Sequence, residues 1–198
     1  MAEFALAVFL LIITPGPGVL STAGVGSGFG FRAGLAYVAG LFVGNLTVVA
    51  LVISGLAAVA LTIPWLRVAL LVVSTAYLFY LAAKVAFAGT RVGFIYLEKP
   101  PGFVGGFALQ PINPKAYVVN TTLFSSFPFM ADNLSAEIAI KVVLLNLIWI
   151  PIHLVWLWAG ASLHRLDLAP GTQRAINVVM AIAMLAVVGM AILFRPGG

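Results

Sequence analysis

The chain has 198 residues, 63% of them hydrophobic and 8% charged, with a mean hydropathy of +1.18. A soluble domain carries about 25% charged residues, so this sequence has too little polar surface to cover a water-soluble globule and reads as an integral membrane protein. The net charge of +5 comes from basic residues scattered between apolar stretches, which fits topology and headgroup contacts and forms no nucleic-acid patch, while the absence of cysteine excludes disulfides, thiolate metal sites and dithiol redox chemistry.

A helix needs roughly 20 apolar residues to cross a ~30 Å hydrocarbon core, and six segments meet that measure. The first, residues 3–30, carries no charge between Glu3 and Arg32. Lacking a cationic start, it reads as a retained span rather than a signal peptide. Inside it lies Thr14-Pro15-Gly16-Pro17-Gly18. Two prolines two apart remove two backbone donors and clash with the preceding turn, so a continuous helix cannot pass. The glycines leave the backbone open to close approach. In hydrocarbon an unpaired N–H or C=O is costly unless protein or a watered cavity receives it. The break therefore implies a cavity at membrane depth. Gly26, Gly30 and Gly34 follow at four-residue spacing, a pattern for close helix packing or, alternatively, for a mobile gate.

Arg32 marks a short loop. The second segment, residues 33–61, has Ala36, Gly40 and Gly44 on one stripe and Asn45 near its middle, where an Asn serves either a helix–helix hydrogen bond or a ligand. Pro64 and Trp65 close it at an interface. The third, residues 65–88, ends near Lys84, placed to snorkel to headgroups. Residues 89–101, with Arg91, Glu98, Lys99 and a Pro-Pro pair, are the most extended wet stretch and divide the chain into halves 1–90 and 91–198. The fourth segment, residues 102–130, is broken at Gln110-Pro111-Ile112-Asn113-Pro114-Lys115. The fifth, residues 136–160, holds Asn146, Pro151 and His153, and the sixth, residues 173–194, is uncharged between Arg174 and Arg195.

Three spans per half make the second half insert upside down, so the two broken helices enter from opposite sides and meet near the midplane. The expected fold is an all-α polytopic membrane protein: six transmembrane helices as two inverted three-helix repeats, helices one and four broken at Pro/Gly motifs. Arg32, Lys84, Arg91, Lys99, Arg165 and Arg174 on one side outnumber Arg67, Lys141 and Arg195 on the other, which puts both termini outside.

Half-helices starting after Pro17 and after Pro114 present unpaired N–H groups and the positive end of a dipole, a receptor for a substrate carboxylate. Asn113 suits the N-cap and Pro114 the first helical position. Lys115 then opposes the dipole, and a cation at the bilayer centre costs ~2.5–3.5 kcal/mol on insertion scales. An anionic ligand group would offset both penalties; the alternative is that Lys115 reaches backbone carbonyls or headgroups. The candidate substrate-binding residues are Pro15, Gly16, Pro17, Gly18, Asn45, Gln110, Asn113, Pro114 and Lys115. His153 is the other titratable group at depth, either a proton relay or a neutral imidazole bonded to the carbonyl that Pro151 frees. Glu3, Glu98, Asp132, Glu137 and Asp167 all fall at span ends or in loops. A substrate ammonium must therefore find carbonyls, Asn45, Asn120, Asn146 or an aromatic face.

Taken together the residues resemble the LysE/RhtB-type amino-acid exporters. Pro15-Gly16-Pro17 in the first span, Arg32-Ala33-Gly34 with Gly40 and Gly44 in the second, and Ala76-Tyr77-Leu78, Tyr80-Leu81 and Lys84 in the third carry the likeness. So do Gly106-Phe107 and Asn113-Pro114-Lys115-Ala116 in the fourth, and Arg174 with Asn177 in the sixth. Gly18 stands where the family usually has a larger or polar residue, and Gln110-Pro111 where it often has an Asn-Leu pair. The resemblance implies a secondary transporter that exports amino acids or related small zwitterions across the inner membrane by alternating access. It needs no metal or cofactor, and the glycine stripes would permit a homodimer. A transporter or channel for another small solute or ion is the alternative. An intramembrane hydrolase is remote, because no Gly-x-Ser-x-Gly or His-Glu-x-x-His is present.

Overall fold

The computed structural model describes residues 1–87, 91–92, 95–96, 99–130, 132–165, 169, 171–172, 174–179 and 181–182. Helix α1 (Ala2–Ile13) ends where Pro15 and Pro17 withdraw their donors, and α2 (Pro17–Ile53) starts with Pro17 in its first turn. The α2 stretch is a hairpin, not one rod. Gly30 leaves the helix at φ 80°, ψ 174°, and the Tyr37 hydroxyl lies 2.9 Å from the Ser21 Oγ, to which it donates. In a straight helix those residues would stand about 24 Å apart. The arms are α2a (17–29) and α2b (31–53).

That reversal corrects two expectations. No loop surrounds Arg32, which lies in the first turn of α2b. Gly30 is the turn itself, at a positive φ that favours glycine, rather than a packing position. Its neighbours in the pattern do pack: a Cβ on Gly26 would sit 2.6 Å from the Leu157 carbonyl oxygen, and one on Gly34 would strike the Leu157 side chain.

The chain continues through α3 (Leu56–Leu61), α4 (Pro64–Ala86) and a minimal antiparallel pair, β1 (Arg91–Val92) with β2 (Ile95–Tyr96). Lys84, expected to snorkel, donates to the Lys99 carbonyl at 3.0 Å and ties the end of α4 to the start of the second half. Then come α5 (Gly102–Ile112), α6 (Pro114–Ser126) and α7 (Leu134–Arg165). Residues 174–179 and 181–182 are helical, and the rest of the sixth expected segment lies outside the described residues.

Polarity is arranged inside out. Asn45, Gln110, Asn113, Asn120, Lys141 and His153 are buried, whereas Trp65, Val72, Phe79, Leu147, Val155 and Trp158 face outward. The stretches Pro17–Ile53, Val68–Ala86 and Leu134–Leu163 are long and apolar enough to cross a membrane. Because α2 folds back at Gly30, α2b alone supplies roughly 35 Å of it, while α1 with α2a and α5 with α6 each make up roughly 36–38 Å of interrupted helix. The chain is a multi-pass, essentially all-helical membrane protein.

Two packing seams hold the bundle. In the first, α2b meets α5 backbone to backbone: a Cβ on Gly40 or Gly106 would collide with the Phe103 or Tyr37 carbonyl, and one on Gly44 would sit 2.6 Å from the Phe107 oxygen. In the second, α2a meets α7, where a Cβ on Gly160 would collide with the Ala23 carbonyl. Around these seams Leu20, Tyr37, Leu41, Leu81, Leu109, Trp149 and Leu157 form the main apolar core. A second cluster gathers Phe4, Val8, Val49, Leu123 and Leu145.

Lys141 is not the loop cation that the sequence suggested. It lies in the second turn of α7, 1% exposed, with its Nζ 2.8 Å from Glu137 Oε1. The other Glu137 oxygen accepts from the backbone N–H groups of Phe129 (2.8 Å) and Met130 (2.5 Å), and Lys141 donates to the Phe124 carbonyl at 3.3 Å. An i, i+4 Glu–Lys pair thus becomes a staple across the α6–α7 connection, satisfying backbone groups that the end of α6 leaves open.

A branched side chain at Gly106 should separate α2b from α5. Overpacking of this kind costs typically ~1–3 kcal/mol, so Gly106→Val should lower the thermal unfolding temperature in detergent, while Gly171→Ala, with nothing within 4 Å, should not. Equal melting of Gly106→Val and wild type would contradict the seam.

Candidate functional site

The two breaks meet in space. Lys115, the second residue of α6, donates from Nζ to the Thr14 carbonyl at 2.8 Å. Thr14 caps α1, its own N–H and hydroxyl both turned back to the Leu10 carbonyl. A helix C-terminus carries partial negative charge and favours a cation. The penalty that Lys115 incurs at the start of its own helix is therefore offset by the end of another. Of the two fates expected for this lysine, a backbone carbonyl is the one seen. An ammonium has three donors, and among the described residues no carboxylate pairs with it, so donors remain for a ligand.

Gly16 makes this contact possible. A Cβ there would sit 2.8 Å from both Cδ and Nζ of Lys115. Its small size admits the lysine stem, a use of the missing side chain that the reading of the first break does not include. The second break is narrower than its six-residue motif: Pro111 stays inside α5, and only Asn113 leaves the helix, at φ −83°, ψ 109°. Asn113 is the N-cap, its Oδ1 accepting from the Lys115 backbone N–H at 3.1 Å. The carbonyls that the break releases are also answered, Pro111 by the Tyr117 hydroxyl at 2.8 Å and Gln110 by the Asn113 N–H at 3.1 Å.

Between the breaks lies a cavity whose empty volume, open mouth included, is about 400 Å³. Gly16, Gly18, Asn45, Gln110, Asn113, Lys115 and His153 line it, as do Thr14, Asn120, Trp149 and an aliphatic wall of Leu11, Ile12, Val19, Ala116 and Val119. Pro15, Pro17 and Pro114 are not in the lining; they set the breaks. Asn146 is also absent from it, its amide nitrogen bonded to the Val142 carbonyl of its own helix at 2.8 Å. Trp149 was missed as a wall residue, although its place one turn before His153 was a usable signal.

His153 stacks on Trp149, ring centroids 3.5 Å apart at 17°. Its Nδ1 lies 2.9 Å from the Trp149 carbonyl. A carbonyl only accepts, so Nδ1 holds the proton and the neutral ring keeps its lone pair on Nε2. That nitrogen lies 3.5 Å from where a Gly18 Cβ would be. The carbonyl used is not the one Pro151 frees, which is four residues earlier, at Leu147.

A polar-lined cavity at the junction of two interrupted helices, in a bundle with apolar outer faces, is the arrangement of a membrane translocator. The chain belongs to the LysE type translocator family, whose model matches residues 9–195. That makes it a translocator rather than an enzyme. It is similar to the cysteine/O-acetylserine efflux proteins of Escherichia coli O139:H28, Escherichia coli K12 and Shigella flexneri serotype 5b. Each is 28% identical over 185 residues, covering 93% of both chains. No solved structure matches it significantly.

Proposed function

We propose that this protein exports amino acids, or closely related small zwitterions, across the inner membrane, and that the substrate sits in the cavity between the two breaks. One observation carries the reading: Lys115, the cation of the cavity wall, holds a helix-end carbonyl and has no carboxylate partner among the described residues. A substrate carboxylate is the anion that uses its remaining donors, beside the Asn113-capped start of α6. Among the described residues no acid lines the cavity, so they offer a cationic side chain no counter-ion. The relatives' names, cysteine and O-acetylserine efflux, fit small neutral side chains.

Transport by alternating access in two inverted repeats, residues 1–90 and 91–198, accounts for the packing. Each broken helix lies on the unbroken helix of the other half, α1 and α2a on α7, α5 and α6 on α2b. Exchanging the halves maps each of these contacts onto another. Rocking one half against the other would open the junction of the breaks to alternate sides. With Lys141 withdrawn into its ion pair, only Arg67 and Arg195 face the six basic residues of the opposite side, in keeping with both termini outside. The glycine stripes are occupied inside the protomer, so they leave the homodimer without an argument and the outer faces to lipid.

Loaded proteoliposomes test the reading. A hydrogen bond to a charged group contributes about 1.5–3 kcal/mol, or roughly ten- to a hundredfold in binding. Lys115→Ala should therefore weaken amino-acid efflux by at least roughly tenfold in protein that still folds. Unchanged efflux would move the site away from Lys115, and no efflux of any amino acid by wild type would overturn the substrate class. His153, its lone pair on Nε2 beside Gly18, is the group placed to relay a proton. If it does, an imposed pH gradient should drive wild-type efflux but not that of His153→Gln. Wild-type efflux indifferent to the gradient would remove the relay.

A further inference from the structure

Asn45 on α2b and Asn120 on α6 are 3% and 1% exposed, and both line the cavity. The Asn120 Nδ2 donates to the Asn45 Oδ1 at 3.1 Å and to the Ala116 carbonyl at 2.8 Å. That carbonyl can only accept, which fixes the nitrogen end of Asn120. The end of Asn45 that faces it must then be oxygen. Two atoms are left over: Asn45 Nδ2, a donor, and Asn120 Oδ1, an acceptor, neither with a hydrogen-bond partner among the described residues. A helix–helix bond needs one donor and one acceptor. This pair supplies that bond and leaves an unpaired donor and an unpaired acceptor, both shut off from solvent, on two residues of the cavity wall.

We infer that Asn45 and Asn120 form a polar filter selecting substrates whose small neutral side chain both donates and accepts a hydrogen bond. The inference rests on the cavity being the amino-acid site. A single hydroxyl or thiol carries both functions needed once the wall opens to a bound substrate, a lone pair to accept from Asn45 Nδ2 and a hydrogen to donate to Asn120 Oδ1. An apolar side chain of equal size leaves both unpaired, and leaving buried polar groups unpaired is what makes such sites reject the analogue. A side-chain ammonium answers only Asn120 and shares the cavity with Lys115. Asn146 supplies the contrast: its Oδ1 is also unpartnered, but it lies away from the cavity and has no part in selection.

The test compares serine with 2-aminobutyrate, which replaces the hydroxyl by a methyl group, as competitors in reconstituted wild-type proteoliposomes. Serine should be preferred by at least roughly tenfold. The double change Asn45→Leu with Asn120→Leu removes both members together and leaves no single orphan, and it should bring the ratio close to one. Asn146→Leu should retain the preference. A wild-type ratio near one overturns the filter without any variant, as does a double variant that keeps the preference. Wild-type protein in which neither compound competes, although another amino acid is exported, overturns the filter alone. No efflux of any amino acid would instead defeat the exporter reading on which the filter stands.

Discussion

Backbone groups in hydrocarbon must find partners within the protein, and the rest of this structure follows from how two deliberate interruptions meet that demand. The prolines at 15 and 17, and the one at 114, interrupt helices inside the apolar bundle. Thr14 is answered by Lys115 from the other break, Pro111 by Tyr117, and the Lys115 N–H by Asn113. The interruptions thus satisfy each other, and the one ammonium among these contacts has donors to spare. The proposed binding site lies where the chain's structural problem is solved with a charged group rather than a neutral one.

Glycine makes the arrangement geometrically possible in two ways. At Gly16 the missing Cβ gives the lysine stem its path to Thr14. Along Gly40, Gly44 and Gly106, and at Gly26 and Gly160, it lets α2b reach α5 and α2a reach α7 at backbone distance. Those seams join the two halves of the chain, and the cavity lies where they converge. The Asn45–Asn120 hydrogen bond crosses between the same halves. On the proposed reading, holding the site and joining the halves are the same task, as a carrier whose halves move about its substrate would require.

Much of this was legible in the residues. The two breaks, the N-cap at Asn113, the depth of Lys115 and the presence of Asn45 and His153 follow from proline geometry, capping preference and apolar span length, all local properties. What the sequence hid was relational. The reversal at Gly30 replaces a loop expected at Arg32, because one glycine at positive φ suffices where several residues were anticipated. Lys141 looked like a loop cation because its partner, Glu137, looked equally superficial; only the fold of the α6–α7 connection buries both. Trp149 joined the wall through its stacking on His153, one helical turn away, whereas Asn120, named beside Asn146 as a candidate contact, was separated from it only by packing. Which of its two fates Lys115 would take was likewise undecided until the end of α1 was placed beside it.

The central claim is that the substrate occupies the space beside Gly18 where the breaks meet. The chain contains no cysteine, so Gly18→Cys places a single thiol there, and a Cβ at that position has ordinary contacts, 3.5 Å from His153 Nε2. The direct measurement is the rate at which a small water-soluble methanethiosulfonate modifies this thiol in proteoliposomes, with and without a transported amino acid. The account predicts that saturating substrate slows modification several-fold while an untransported solute does not. A rate the same with and without substrate would contradict it and place the substrate elsewhere in the bundle.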